Sequence, residues 1–232
     1  MSESGHILII DAEPQIRRVL KTTLIAEGYE VWVALSGTEA LELIRSEAFD
    51  LVLLGINLPD LRGTAMCREI RKAIAGVIIV VLSSHNSEKE KLAAFDAGAD
   101  DYITKPFVIE ELLARLRAHL RGRRASESAP SDRFETDDLV IDFTDRTITR
   151  QGNQVAKLRL SPKQWQLLRY LASHRGKPLS HRSLLQAVWG PDYGEETMLL
   201  QALIARLRKK IEADPAQPKH IATVPWFGYR FD

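Results

Sequence analysis

The sequence predicts two domains in series: an α/β domain doubly wound around a five-stranded parallel sheet, then a smaller α+β domain of short antiparallel strands and three helices. Three observations predict it. The first half alternates short apolar runs with stretches of helical periodicity. The second half changes to alternating apolar and polar positions, then three helical stretches, then a closing pair of alternating segments. Between the halves lies GRRASESAPSD, which has no apolar anchor and reads as a flexible linker.

The apolar runs of the first half are Ile7 to Ile10, Val31 to Leu35, Leu51 to Leu54, Val77 to Leu82 and a weaker Tyr102 to Thr104. They are apolar at every position, the pattern of parallel strands buried on both faces. Amphipathic stretches such as Ile16 to Ala26, Thr38 to Ser46 and Glu110 to Leu120 lie between and after them, the last with Leu112, Leu113, Leu116 and Leu120 on one side. In such a sheet, function gathers at the carboxyl ends of the strands. The expected boundaries are residues 1–121 for the first domain, 122–133 for the linker and 134–232 for the second domain.

In the second domain LVIDF and RTITR suit antiparallel strands, followed by a turn at Gln151-Gly152-Asn153. Helices are expected from Ser161-Pro162, from Ser180 and from near Glu195. Ser161 and Ser180 can cap, and Pro162 suits a first helical position. IATV, a turn at Trp226-Phe227-Gly228 and YRF form a C-terminal hairpin. Sheet, three helices and hairpin is the order of a winged helix-turn-helix domain.

Composition narrows the function. At 45% hydrophobic and 27% charged residues the chain has the balance of a globular protein. No apolar run reaches the roughly 20 residues of a membrane span, and MSESGHILII lacks the form of a signal peptide, so no membrane partner and a cytoplasmic location are expected. Cys67 is the one cysteine, which excludes an internal disulfide and a cysteine metal cluster. The net charge of +1 divides into −5 over residues 1–120 and +6 over residues 121–232, so only the second half is attracted to a polyanion.

ILIIDAEPQIRRVL, DLVLLGINLPDLRG, VIIVVLSS and AGADDYITKPF resemble the successive signature segments of response-regulator receiver domains, which have a flavodoxin-like fold. LRLSPKQWQLLRYL, LLQAVWG, ARLRKKIEADPAQPKHIATV and FGYRF resemble the winged-helix effector of the OmpR/PhoB class, and the stretch from Leu200 through Glu212 to Phe231 is similar to its potassium-transport regulators. The resemblance implies a DNA-binding transcriptional regulator and not an enzyme. In that family an aspartate after strand 3 accepts a phosphoryl group from a histidine kinase, and Mg²⁺ is held by it, by an acidic residue after strand 1 and by a backbone carbonyl.

This chain departs from the pattern at two of those positions. Gly55 stands at the phosphoacceptor and Ala12 at the second acidic position, leaving Asp11, Asn57, Ser83, Tyr102 and Lys105. Glycine offers no oxygen to form an acyl phosphate. Mg²⁺ demands octahedral oxygen ligands, so one carboxylate and one carbonyl are a poor site, and weak or absent binding is expected with no other cofactor. The expected resting state is an Asp11–Lys105 ion pair, with Glu13 one residue too late to replace the missing ligand. Strand-end packing is the expected role of Ser83 and Tyr102 once no phosphoryl group is there to read. Two positions changed together fit natural divergence better than an engineered knock-out, and an inactivated variant of a phosphorylated regulator is the competing reading.

For partners, the resemblance implies a homodimer through the face made by the fourth helix, fifth strand and fifth helix. Lys91 would meet Glu111 and Asp101 would meet Arg115 across a two-fold, around Phe95, Leu112 and Leu116, with Asp100 and Arg117 in the same charged set. Promoter DNA is the second partner and RNA polymerase a third, while a cognate histidine kinase has nothing at residue 55 to modify. On a helix from about Glu196 to Ala213, Leu200, Leu203, Ile204, Leu207 and Ile211 form the core stripe, and Gln201, Ala205, Arg208 and Lys209 face outward with Ala202 and Arg206 on the flank. Gln201 is the candidate for a base edge; Arg206, Arg208, Lys209, Lys210, His181 and Arg182 suit phosphates, with Thr197, Trp226 and Tyr229 completing the interface. Met198, Leu199, Ala202 and Ala205 give that face an apolar character, and the Pro225-Trp226-Phe227 wing would stack on a sugar, insert against the minor groove or pack on the domain itself. A protein-interaction module built on the degenerate pocket, and a phosphorelay component, are the rival functions.

Overall fold

The computed structural model describes residues 5–74, 76–125, 133–136, 138–150 and 160–232. Two compact units divide the chain, Met1–Leu116 and Arg117–Asp232. The first begins with β1 (His6–Ile10), α1 (Pro14–Ala26), β2 (Glu30–Ala34), α2 (Gly37–Ser46), β3 (Leu51–Gly55), α3 (Gly63–Ala73), β4 (Ile78–Ser83), α4 (Glu88–Ala97) and β5 (Asp101–Thr104), and α5 (Ile109–Ala125) follows. The five strands are parallel in the order β2-β1-β3-β4-β5.

Every residue of β3 and β4 is buried, as their uninterrupted apolar runs require, whereas β2 at the sheet edge is only part-buried. Ile10 pairs with Leu54, Gly55 with Leu82 and Ser83 with Thr104, so the strands finish level. Chain order reverses between β1 and β3, the switch point where α/β sheets place ligands.

Two carboxylates pin loops at opposite ends of the sheet, Asp100 where β4 and β5 begin and Asp60 at the carboxyl edge. Asp100, wholly buried at the side chain, accepts from Arg71 Nη2 at 2.6 Å and from the Ile79 amide at 2.9 Å, tying α3 to β4. Removing one partner of such a buried pair typically costs about 3–5 kcal/mol. Asp60 receives the first amides of α2, from Gly37 at 2.9 Å and Thr38 at 2.8 Å, together with the Thr38 hydroxyl at 2.7 Å.

The second unit contains β6 (Arg133–Glu135), β7 (Leu139–Asp142), β8 (Thr147–Arg150), α6 (Pro162–Ser173), β9 (Leu179–Ser180), α7 (His181–Trp189), α8 (Thr197–Ile211), β10 (Ile221–Val224) and β11 (Gly228–Phe231). Its antiparallel sheets run β6-β7-β8 and β10-β11-β9. Ser161 and Gln164 form a reciprocal capping box at α6, and Ser180 Oγ accepts from the Ser183 amide at α7. The Glu212 carboxylate, directly after α8, accepts from the amides of Lys219, His220 and Ile221 at 2.8–3.2 Å and so joins the helix end to β10. A Cβ on Gly228 would lie 2.0 Å from Leu179 O, so glycine alone lets β9 pair there.

Two differences from expectation concern the end of α5 and two short strands. Residues 122–125 of the expected linker continue α5, because Arg and Ala are good helix formers; 126–132 lie outside the described residues, and Arg133 opens β6. The short strands β6 and β9 carry too few residues to show a period. The turn expected at residues 151–153 lies outside the described residues.

The amide and hydroxyl donors hold Asp60 well below the ordinary carboxylate value of 3.8, at about 2, with the Gly37 amide the largest cause. A depressed folded-state pKa gives stability that is complete above the unfolded value and is lost as pH falls through the folded one. Asp60→Asn is therefore expected to lower the urea midpoint at pH 7, and the gap from the unsubstituted protein to close between about pH 4 and pH 2. A gap that stays constant down to pH 2 contradicts this.

Candidate functional site

Asp11 leaves β1, Gly55 ends β3, Ser83 ends β4 and Lys105 leaves β5, so the fold brings these four to one sheet edge. The Asp11 and Lys105 side chains are 3% and 12% exposed, and the Lys105 ammonium lies 2.7 Å from Asp11 Oδ2. That is the ion pair the sequence predicts. Lys105 also lies 2.8 Å from Glu13 Oε1, a contact not anticipated, since position 13 was counted only against the missing metal ligand. Asp11 Oδ1 accepts from the Glu13 amide at 2.9 Å, and Arg17 Nη1 donates to the Asp11 and Ala12 carbonyls, both at 2.7 Å.

Gly55 shapes this arrangement through what it lacks. A Cβ there would stand 2.6 Å from Asp11 Oδ2, 2.8 Å from Asp11 Cγ and 3.2 Å from Ile10 O. The Asp11 carboxylate thus occupies space that any side chain at 55 would need. The residues do not fit a Mg²⁺ ion: both Asp11 oxygens are engaged, Gly55 has no side-chain ligand, and Ala12 presents a methyl group. Asn57 is exposed and bridges to Arg62.

Ser83 and Tyr102 converge on one backbone unit. Ser83 Oγ accepts from the His85 amide at 3.1 Å, and the Tyr102 hydroxyl donates to the His85 carbonyl at 2.7 Å, so the loop before α4 is held from both sides. Tyr102 is 8% exposed, and burial raises its phenol above the ordinary value.

On the α4-β5-α5 face several of the expected residues make contacts within the chain. Phe95, Leu112 and Leu116 are buried in the chain. Arg115 lies 3.6 Å from Asp101 and 2.9 Å from Glu111 of its own chain, because α5 runs past β5 at ion-pair distance. Asp100 serves the Arg71 pair and is sealed from the surface. Lys91 is part-exposed, and Glu111 and Arg117 are exposed.

In the second unit Leu200, Leu203, Ile204, Leu207 and Ile211 are buried as expected. Leu199 and Ala202 are buried with them, so the outer face is less apolar than the sequence suggests. Gln201, Ala205 and Lys209 are exposed at four-residue spacing, with Thr197 part-buried at the head of the same row. Arg206 and Lys210 are part-buried, and Lys210 Nζ contacts Gln164 Oε1 at 3.2 Å.

Arg208 does not face outward. Its guanidinium donates to Ile221 O at 3.0 and 2.5 Å and to Thr223 Oγ1 at 2.8 Å, and lies 5.6 Å from the Tyr229 ring centre. Tyr229 is itself 7% exposed, packed between Arg208 and the part-buried His181. Burial lowers the Arg208 pKa and raises that of Tyr229, and the guanidinium stays charged. These two residues brace the wing: strand register turns Tyr229 inward, and the Ile221 carbonyl and Thr223 hydroxyl draw Arg208 of α8 across to the hairpin. Arg182 is exposed, Phe227 is 46% exposed and Trp226 fully so.

The chain matches two families: "Response regulator receiver domain" over residues 7–117 and "Transcriptional regulatory protein, C terminal" over residues 154–231. It is 40% identical over 226 residues to "Transcriptional regulatory protein KdpE" of Mycobacterium tuberculosis and to "KDP operon transcriptional regulatory protein KdpE" of Escherichia coli, covering 97% of this chain and 98% of each relative. Among solved structures, a cysteine-to-aspartate mutant of RitR is similar at TM-score 0.78 and 28% identity, covering 99% of both chains. The response regulator DrrB of Thermotoga maritima is similar at TM-score 0.52 and 31% identity, covering 98% of this chain and 99% of that one.

Gly55→Ala is expected to force the Asp11 carboxylate off Lys105 and to lower unfolding stability by about 1 kcal/mol. In an Asp11→Ala background the same substitution is expected to cost close to nothing, as a double-mutant cycle by urea denaturation would read. Equal costs in both backgrounds contradict the contact.

Proposed function

The chain belongs to the OmpR/PhoB family of response regulators, DNA-binding transcriptional regulators of the two-component type and not enzymes, and we propose that it works there without phosphoryl transfer. The observation that carries this reading is the pocket: residue 55 has no side chain, and the neighbouring Asp11 carboxylate fills the space and neutralises Lys105. A phosphoryl group would need an oxygen at 55 and a cation free to receive it. A histidine kinase has no substrate here.

DNA is read through the exposed row of α8, with Gln201 reaching base edges and Lys209 and Arg182 meeting phosphates. The class implies RNA polymerase as a further partner. Symmetric pairing through the α4-β5-α5 face remains part of this reading, with Lys91 and Glu111, which keep surface exposure, as the ion pair across the two-fold. Asp101 and Arg115 lie 3.6 Å apart within one chain.

The unmodified protein is expected to bind selected promoter duplexes with an affinity that falls roughly a thousandfold between 50 and 200 mM salt, as counterion release predicts for several phosphate contacts. Incubation with a small phosphodonor should leave both that affinity and the receiver mass unchanged. A labile adduct of the mass of a phosphoryl group in the receiver half, or DNA binding only after treatment, overturns the reading. Within the helix, Gln201→Ala should relax preference at one base pair, worth about 1–3 kcal/mol, whereas Lys209→Ala should weaken all sequences alike and flatten the salt slope. Unchanged selectivity in Gln201→Ala, measured by competition with point-mutated sites, removes Gln201 from the base contact.

A further inference from the structure

The outward row of α8 has at its centre a side chain that can neither donate nor accept a hydrogen bond. Gln201, Ala205 and Lys209 are the exposed residues of this helix, and Ala205 stands one turn from each of the others. The basic side chains next to it in the chain are drawn elsewhere. Arg206 Nε donates to Ala202 O at 3.4 Å, Arg208 reaches Ile221 O and Thr223 Oγ1 on the hairpin, and Lys210 Nζ contacts Gln164 Oε1 of α6 at 3.2 Å. The apolar neighbours Ala202 and Ile204 are 5% and 1% exposed, so they belong to the core and do not widen the patch. The Ala205 methyl is therefore presented singly, between an amide and an ammonium.

A methyl in that place can match only one kind of group on a duplex. The major-groove edge of a base pair offers hydrogen-bond donors, acceptors and the 5-methyl of thymine. Against a donor or acceptor the Ala205 side chain would displace water and give no bond in return, which costs affinity. Against a thymine methyl it removes two apolar surfaces from water, which adds affinity. Its shortness also lets the middle of the helix approach the base edges closely, as a contact between two methyl groups requires. At 1.5 Å of rise per residue, Ala205 lies about 6 Å along the helix from Gln201, roughly two base-pair steps.

We propose that Ala205 is a specificity-determining residue that reads a thymine methyl in the major groove, on the order of two base pairs from the adenine met by Gln201. This rests on the DNA-binding reading above and adds to it a feature of the operator: an adenine and a thymine at fixed separation in each half-site. Because the contact is with a methyl at ring position 5 and with no donor or acceptor, 5-methylcytosine at the same position supplies the same group. Lys209, one turn further on, contacts phosphate and adds no preference of its own.

The test uses the full-length protein and duplexes enriched by it from a random-sequence pool. Replacing each thymine in turn by deoxyuridine removes one methyl and leaves the base pairing unchanged. One thymine in each half-site should stand out, losing about fourfold in affinity, the worth of one buried methyl. At that position 5-methylcytosine should bind about fourfold tighter than cytosine. Ala205→Ser keeps a small side chain at an exposed helix position and so folds; in this variant the thymine and deoxyuridine duplexes should bind alike. Deoxyuridine tolerated at every thymine, or a penalty undiminished in Ala205→Ser, overturns the methyl contact, while selective, salt-sensitive binding in the same titrations keeps the DNA-binding reading. A sensitive thymine more than about four base pairs from the position relaxed in Gln201→Ala contradicts the spacing of the row and equally overturns it. Failure of the pool to yield any bound duplex sinks both readings together.

Discussion

The ion pair between Asp11 and Lys105 is the contact around which the first unit is organised. It joins the loop after β1 to the loop after β5 across the carboxyl edge of the sheet, where four strands end level. In a low-dielectric setting, with one partner 3% exposed and the other 12%, neither charge is comfortable alone. Gly55 makes the pair available by leaving the space that the carboxylate takes, and Glu13 brings a second carboxylate to the ammonium. A chemical switch and a structural clamp use the same groups, and here the groups are all committed to the clamp.

The loop before α4 shows how far that settled state extends. The His85 backbone is held by Ser83 on one side and Tyr102 on the other, and Tyr102 packs edge-on against Phe95 of α4. Each contact is a modest hydrogen bond or ring packing, about 1 kcal/mol apiece. Together they connect the strand ends to α4.

The fold was legible in the sequence because its signals were redundant. Continuous apolar runs gave the buried parallel strands, Ser161 and Ser180 gave two helix starts, and the i, i+3, i+4 leucines gave the inner face of α8. The site was legible where identity alone decides chemistry: a glycine cannot accept a phosphoryl group in any conformation. It was less so where direction decides. Arg208 and Tyr229 read as outward groups, yet strand register and a nearby carbonyl turn them into each other. A charge pattern does not record depth either: Asp100 and Asp101 are both buried in the chain. Glu13 was missed for a related reason, since its value lies in reaching an ammonium ninety-two positions away in the chain.

Glu212 carries a consequence for how an operator can be built. By collecting the amides of Lys219, His220 and Ile221 it welds the end of α8 to the start of β10, and Arg208 adds a second weld one turn earlier. Helix and hairpin therefore act as the two jaws of a caliper with a fixed gap. On the DNA-binding reading proposed above, a duplex touching both jaws must itself supply the right span, which gives selective weight to the stiffness of base pairs that neither jaw touches.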